Sequence, residues 1–68
     1  MLFELTDNEY IELNKLLKLM NLVESGGEAK QRITDGEVMV NGEVETQKRK
    51  KLRSGDTISF GENAITIK

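Results

Sequence analysis

The apolar period of this chain changes once, at Asp35-Gly36, and that change limits the fold more than any other feature. Before it, apolar residues recur at three- and four-residue steps, the spacing of a helix face; after it they alternate, the spacing of a half-buried strand. A chain of 68 residues divided in this way is expected to lay its helices on one face of a small sheet. The expected class is α+β: two short helices packed on a small, mainly antiparallel sheet, in one domain spanning residues 1–68. No proline, internal repeat or low-complexity tract interrupts that span.

Local signals place the elements. Leu2 to Leu5 reads as a short strand with Phe3 and Leu5 on one side. Thr6-Asp7-Asn8-Glu9 has capping-box spacing and predicts a helix of about 14 residues starting at Asp7. Its inner face is Tyr10, Leu13, Leu16, Leu17 and Met20, with Lys15 and Lys18 outside. Asn21 suits the left-handed backbone that ends helices, and Leu22 then meets Leu17. Ser25 and Glu28 repeat the capping-box spacing, so Ser25 is the N-cap of a second helix. Gly26 and Gly27 form its first turn, Ala29 and Ile33 face the core, and Asp35-Gly36 closes it.

Beyond Gly36, Asn41-Gly42 is the strongest hairpin signal and joins Glu37–Val40 to Glu43–Thr46. A two-residue turn there pairs Met39 with Val44 and Val40 with Glu43, which sets apolar valines against glutamates. Either the hairpin tip extends beyond the core or the loop is longer. A second pair of strands, Thr57–Phe60 and Ala64–Lys68, flanks Gly61-Glu62-Asn63, with Ile58, Phe60, Ile65 and Ile67 supplying apolar positions.

Composition removes whole classes of function. The chain has no Cys and no His, which excludes disulfides, thiolate or imidazole metal sites and the common Ser/His and Cys/His nucleophile systems. A domain this small buries only about 60% of its unfolded surface, too little for a deep enclosed active site. No enzymatic activity, cofactor or metal is expected. No apolar run approaches the roughly 18 residues needed to span a bilayer, and no basic-then-apolar leader is present, so a cytoplasmic monomer is expected.

Net charge is −2, which by itself disfavours a polyanionic partner. Its distribution reverses that inference. Residues 1–29 hold two lysines and six acids, whereas residues 30–68 hold eight basic residues and six acids. The excess is concentrated in Lys48, Arg49, Lys50, Lys51 and Arg53, with Lys30 and Arg32 on the second helix able to join the same field. Such a run has an ordinary reading as a solvated loop. Against it, the run is short, lies between structured elements, and contains Leu52, which is expected to anchor it in the core.

Gly26 and Gly27 also have two readings. Glycine in a first helical turn costs roughly 0.5–1 kcal/mol relative to alanine. It is explained either by close approach of the first helix or by access of a phosphate to the free N–H groups at the positive helix end. Glu28 opposes the second reading, because its carboxylate repels an anion.

The order Leu13-x-x-Leu16-Leu17, Ser25-Gly26-Gly27, Ala29-Lys30, Val38-x-Val40-Asn41-Gly42, Lys51-Leu52 and Gly55-Asp56 resembles the S4-like domain, the αL RNA-binding fold, and in particular its small bacterial stand-alone members. The resemblance covers residues 12 to 60. It implies binding of structured RNA, ribosomal or transfer RNA among the candidates, through the second helix, its N-terminal junction and nearby basic loops. Carried over position by position, it makes Ser25, Gly27, Lys30, Lys48, Arg49 and Lys51 candidates for RNA contact; the open helix start adds Gly26, and the charge distribution adds Arg32, Lys50 and Arg53. Many family members have Arg-Leu-Asp where this chain has Glu12-Leu13-Asn14, and Arg after the serine where it has Gly26. The basic segment must then supply more of the phosphate contact. Phe3, Tyr10 and Phe60 are the only rings and occupy apparent core positions, which favours recognition by shape and phosphate over base stacking.

The rival reading is a protein-interaction module. It uses the acidic side of the first helix, Asp7, Glu9 and Glu12, with Ile11 and Leu19 exposed on its outer face.

Overall fold

A computed structural model describes all residues 1–68. Nine elements follow in order: β1 (Leu2–Phe3), β2 (Ile11–Glu12), α1 (Leu13–Leu19), α2 (Gly26–Thr34), β3 (Val38–Val40), β4 (Glu43–Val44), β5 (Lys51–Leu52), β6 (Thr57–Phe60) and β7 (Asn63–Ile67). Five strands form one sheet in the order β1-β7-β6-β3-β4, and β2 pairs with β5 in a second, two-stranded sheet. Every pairing is antiparallel except β1 with β7. The α+β arrangement expected from the change of period is the one observed.

The alternating pattern works as expected in the second half. Val40 lies opposite Ile58, Val38 opposite Phe60, and Ile58 opposite Ile65, so the inner face of the sheet is continuous and aliphatic. Val38, Ile58 and Ile65 have no exposed surface. At Asn41-Gly42 the turn has two residues, with φ of 52° and 86°, the positive pair that suits a right-twisted hairpin. The register is Met39 to Val44 and Val40 to Glu43. The clash of valine with glutamate is resolved because β4 is a two-residue edge strand with both side chains exposed. The valines take their apolar neighbours from β6, and Glu43 stays in water at the sheet edge, where charge discourages pairing with another chain.

On the other face of the core lie Leu13, Leu16 and Leu17 of α1 and Ala29 and Ile33 of α2, all fully buried. Both helices end as their sequences require. Asn21 takes φ 59° after α1 and Gly36 takes φ 79° after α2. In each case two successive N–H groups bond back, Leu22 to Leu17 and Asn21 to Lys18 in the first, Glu37 to Arg32 and Gly36 to Ile33 in the second. These are paired Schellman contacts. The twelve buried side chains form one hydrophobic cluster, and no polar side chain is buried with them.

The first helix departs from expectation at its start. It begins at Leu13, not Asp7, and the Thr6 capping box does not form. Ile11 and Glu12 are instead strand residues paired with Leu52 and Lys51. Glu12 precedes the helix with extended backbone, ψ 142°, and no side-chain cap. The cap is supplied from a distance: Leu13 N–H donates to the Lys50 carbonyl at 2.9 Å and Asn14 N–H to that of Lys48 at 3.0 Å. A long-range strand pairing thus overrides a local helix signal, and it removes Tyr10 and Ile11 from the helix face assigned to them. Tyr10 is 39% exposed, whereas Ile11 is half-buried against the core. The face proposed for protein contact is therefore not assembled as a helix surface; Leu19 is the one exposed apolar residue of α1.

Leu52, fully buried within β5, should be the anchor that holds this arrangement. Leu52→Ala is expected to lower stability by about 2–5 kcal/mol, while Leu19→Ala should change it by less than about 0.5 kcal/mol. Urea unfolding followed by circular dichroism checks both; equal midpoints for the two variants would contradict the anchoring role.

Candidate nucleic-acid interface

The basic segment is held by its backbone, which leaves its side chains free. Gln47 to Lys50 make a turn closed by Lys50 N–H to the Gln47 carbonyl at 3.2 Å, with Lys48 and Arg49 at its tip. The Lys48 and Lys50 carbonyls face inward to the first turn of α1. Lys48, Arg49, Lys50, Lys51 and Arg53 are all exposed, and none is in an ion pair with a carboxylate. Lys51 and Arg53 are ordered in another way: Lys51 Nζ lies 4.9 Å and Arg53 Cζ 5.7 Å from the centroid of the Tyr10 ring. A ring attracts a cation through its quadrupole without neutralising it.

The far end of the segment is fixed by a polar lock. Asp56 Oδ2 accepts from Arg53 N–H at 2.8 Å, and its Oδ1 accepts from the Asn41 side-chain amide at 3.0 Å. Asn41 Oδ1 in turn accepts from Thr57 N–H at 2.9 Å. Gly55, at φ 97°, makes the turn that allows this and donates its N–H to the Ile67 carbonyl at 2.8 Å. The hydrogen bond from Arg53 N–H holds the Asp56 carboxyl below the usual carboxylate range, aided by Asn41 and by the charges of Lys50 and Arg53, and opposed by partial burial. Asn41, Gly42, Gly55 and Asp56 are therefore scaffold. They explain why these residue types stand at these spacings.

At the second helix, Ser25 Oγ accepts from Glu28 N–H at 3.1 Å, as an N-cap should. The Glu28 carboxylate reaches back to Glu24 N–H at 2.7 Å, one residue before the position a capping box requires. The glycines are open. A Cβ on Gly26 would meet nothing within 4 Å, and one on Gly27 would meet only Ser25 Oγ at 3.8 Å. Close helix crossing is thus excluded as the reason for glycine.

Arg32 does not join the basic field. Its guanidinium is 3.2 Å from Glu37 and 3.5 Å from Glu28, and those acids, Glu37 foremost, raise its pKa above the ordinary value. Its charge is spent locally, though it also offsets the repulsion that Glu28 would exert on an anion. Lys30 is exposed and makes no ion pair. Two groups of candidate residues result. The basic segment closes the N-terminal end of α1, while Ser25, Gly26, Gly27 and Lys30 follow its C-terminal end, and the seven-residue helix between is roughly 10 Å long. The sequence pattern puts Tyr10 on the inner face of the first helix and not among the RNA-binding candidates. Its three-residue spacing from Leu13 imitates a helix core position, and only the β2–β5 pairing shows otherwise.

Similarity to known proteins places the chain in a family. The S4 domain family matches residues 3–68, and the chain belongs to that family. YbcJ of Escherichia coli (strain K12), which is named for RNA binding, is 43% identical over 65 residues, covering 96% of this chain and 93% of YbcJ. RlbA of Bacillus subtilis (strain 168), named a probable ribosome maturation protein, is 40% identical over 54 residues, 79% of this chain and 76% of its own. The solution structure of E. coli YbcJ, described as revealing an αL motif involved in RNA binding, superposes with a TM-score of 0.74 at 42% identity, covering 97% of this chain and 84% of that one.

Because the folded-state pKa of Asp56 is depressed, its contribution to stability is present above the unfolded-state value and is lost as pH falls through the folded one. Stability should therefore decline below about pH 4, and Asp56→Asn should be less stable at neutral pH with a shallower acid dependence. Thermal midpoints across the acid range test this; parallel profiles for the two proteins would remove Asp56 from the lock.

Proposed function

We propose that this chain is a non-catalytic RNA-binding protein that takes structured RNA on two positive sites. One is the basic segment, Lys48, Arg49, Lys50, Lys51 and Arg53. The other is the start of α2, with Ser25, Gly26, Gly27 and Lys30. The observation that carries this reading is the orientation of the basic segment: its carbonyls bond to α1 and its five cations face solvent free of acid partners. Desolvated or paired cations contribute little to a phosphate surface, whereas free ones release counterions when phosphate binds. The names of YbcJ and RlbA support an RNA partner, and the latter favours RNA of the ribosome or its precursors. No helix is long and apolar enough to cross a membrane, and an RNA partner of that kind supports a cytoplasmic location.

A catalytic role has no support in the site. Asp56 is held ionised by hydrogen bonds, the reverse of the raised carboxyl that a general acid requires. Protein contact through Asp7, Glu9 and Glu12 loses its main structural argument, since those residues do not share a helix.

Lys48 and Arg49 at the turn tip provide the clearest test. Replacing both by alanine should leave the melting temperature nearly unchanged and reduce the slope of log affinity against log salt by roughly 1.5, at about 0.7–0.9 per phosphate contact. Filter binding to an RNA hairpin across a salt series measures the slope. An unaltered slope removes the tip from the interface, and salt-independent binding by the native protein removes the RNA reading.

Gly27→Ala separates helix propensity from binding. The added methyl has room and should stabilise the fold by up to about 1 kcal/mol. If phosphate approaches the N–H groups of this turn, RNA affinity falls while the melting temperature rises. A stabilised variant with unchanged affinity would leave the basic segment as the sole phosphate site.

A further inference from the structure

We propose that Tyr10, with Lys51 and Arg53, forms a subsite for one unpaired base of the bound RNA, a role that rests on the RNA-binding reading and sharpens its ligand to structured RNA carrying an unpaired nucleotide. Three observations lead to it. Tyr10 is 39% exposed, although the other two rings, Phe3 and Phe60, pack against the core. Its hydroxyl makes no hydrogen bond within the protein. And it carries two cations at 4.9 and 5.7 Å from its centroid, neither neutralised by an acid.

The strand register explains how these groups meet. Ile11 pairs with Leu52 and Glu12 with Lys51, so continuing the antiparallel ladder by one residue sets Tyr10 opposite Arg53. Alternation then puts Tyr10, Lys51 and Arg53 on the face opposite buried Leu52. Glu12 shares that face but turns to Lys15, 3.2 Å away, which leaves Lys51 to the ring. The two-stranded sheet thus presents an aromatic surface between charges suited to the phosphates on either side of a base.

A single ring cannot bind single-stranded RNA as a multi-base platform does, but it can take one base extruded from a fold. Every base has a π-face, and stacking on an aromatic side chain is sequence-tolerant. The groove of about 450 Å³ that Tyr10 also lines contains Glu4, Glu9 and Glu12 against a single cation, Lys15, which is paired with Glu12, and neither Lys51 nor Arg53. Phosphates therefore keep to the cation side, and the base alone reaches over the ring. This arrangement discriminates a bulged or looped RNA from a regular duplex, which phosphate contacts alone do poorly.

Tyr10 is the sole tyrosine and there is no tryptophan, so its emission reports directly on the subsite. The probes are a blunt RNA duplex with one central unpaired adenosine and the same duplex without it. Emission should be quenched by the first and much less by the second. Tyr10→Leu should weaken binding of the bulged duplex on the order of tenfold, within the range for one stacked base, and leave the plain duplex unaffected. Tyr10→Phe, which keeps the ring, should retain the preference, and equal melting temperatures would show that neither variant acts through the fold. Equal quenching by both duplexes, or an undiminished preference in Tyr10→Leu, overturns the subsite while salt-dependent binding leaves the RNA reading standing. If the native protein binds neither duplex nor any hairpin RNA, the RNA reading fails and the subsite with it.

Discussion

Two peptide hydrogen bonds join the first helix to the basic segment: Leu13 N–H to the Lys50 carbonyl and Asn14 N–H to the Lys48 carbonyl. The first residues of a helix have N–H groups with no partner inside the helix, and the usual remedy is a side chain such as that of Ser25 at the start of α2. At α1 the remedy is a loop nearly forty positions later in the chain. One contact thereby sets where α1 begins, orders a segment dense in positive charge and turns its carbonyls away from any approaching phosphate. Five like charges within six residues repel one another, and an unanchored segment would relieve that repulsion by spreading. Here the carbonyls, the buried Leu52 and the Asp56 lock hold the backbone, so the charges stay concentrated.

What was legible in the sequence follows from the range of the interactions involved. The second helix, both helix stops and the Asn41-Gly42 turn depend on residues a few positions apart, and Ser25, Asn21, Gly36 and Gly42 announce them. Ile58 and Ile65 mark the sheet face by alternation. The start of α1 was not legible, because Thr6-Asp7-Asn8-Glu9 is a sound local signal defeated by the pairing of Ile11 with Leu52, across forty residues of chain. Tyr10 was misassigned for the same reason. Arg32 belongs to no basic field: Glu28, four positions before it, is a neighbour the helix spacing already offers, while Glu37 lies beyond the helix and reaches the same guanidinium only through the chain reversal at Gly36.

Electrostatically, the molecule places its positive charge at few sites. Net charge of −2 keeps long-range attraction to a polyanion weak, and beyond a Debye length of about 8 Å at physiological salt the acidic and basic regions are largely screened. On the proposed reading, recognition depends on close contacts at the segment itself, where cations without acid partners act at short range. Under the proposed function, such a surface would bind RNA where its own cations fit and give little attraction elsewhere.

The residues that carry the family resemblance divide accordingly. Leu52, Asn41, Gly42, Gly55 and Asp56 build and lock the support, while Lys48, Arg49 and Lys50 occupy a turn whose side chains are exposed and make no ion pair. Leu52 and Asp56 cannot change without cost to the fold, because one fills the core and the other bonds the backbone of Arg53. The turn can change freely. A scaffold of this kind holds its shape while leaving the exposed turn residues open to substitution, and under the proposed base subsite the exposed ring of Tyr10 beside Lys51 and Arg53 would extend the same division from charge to base recognition.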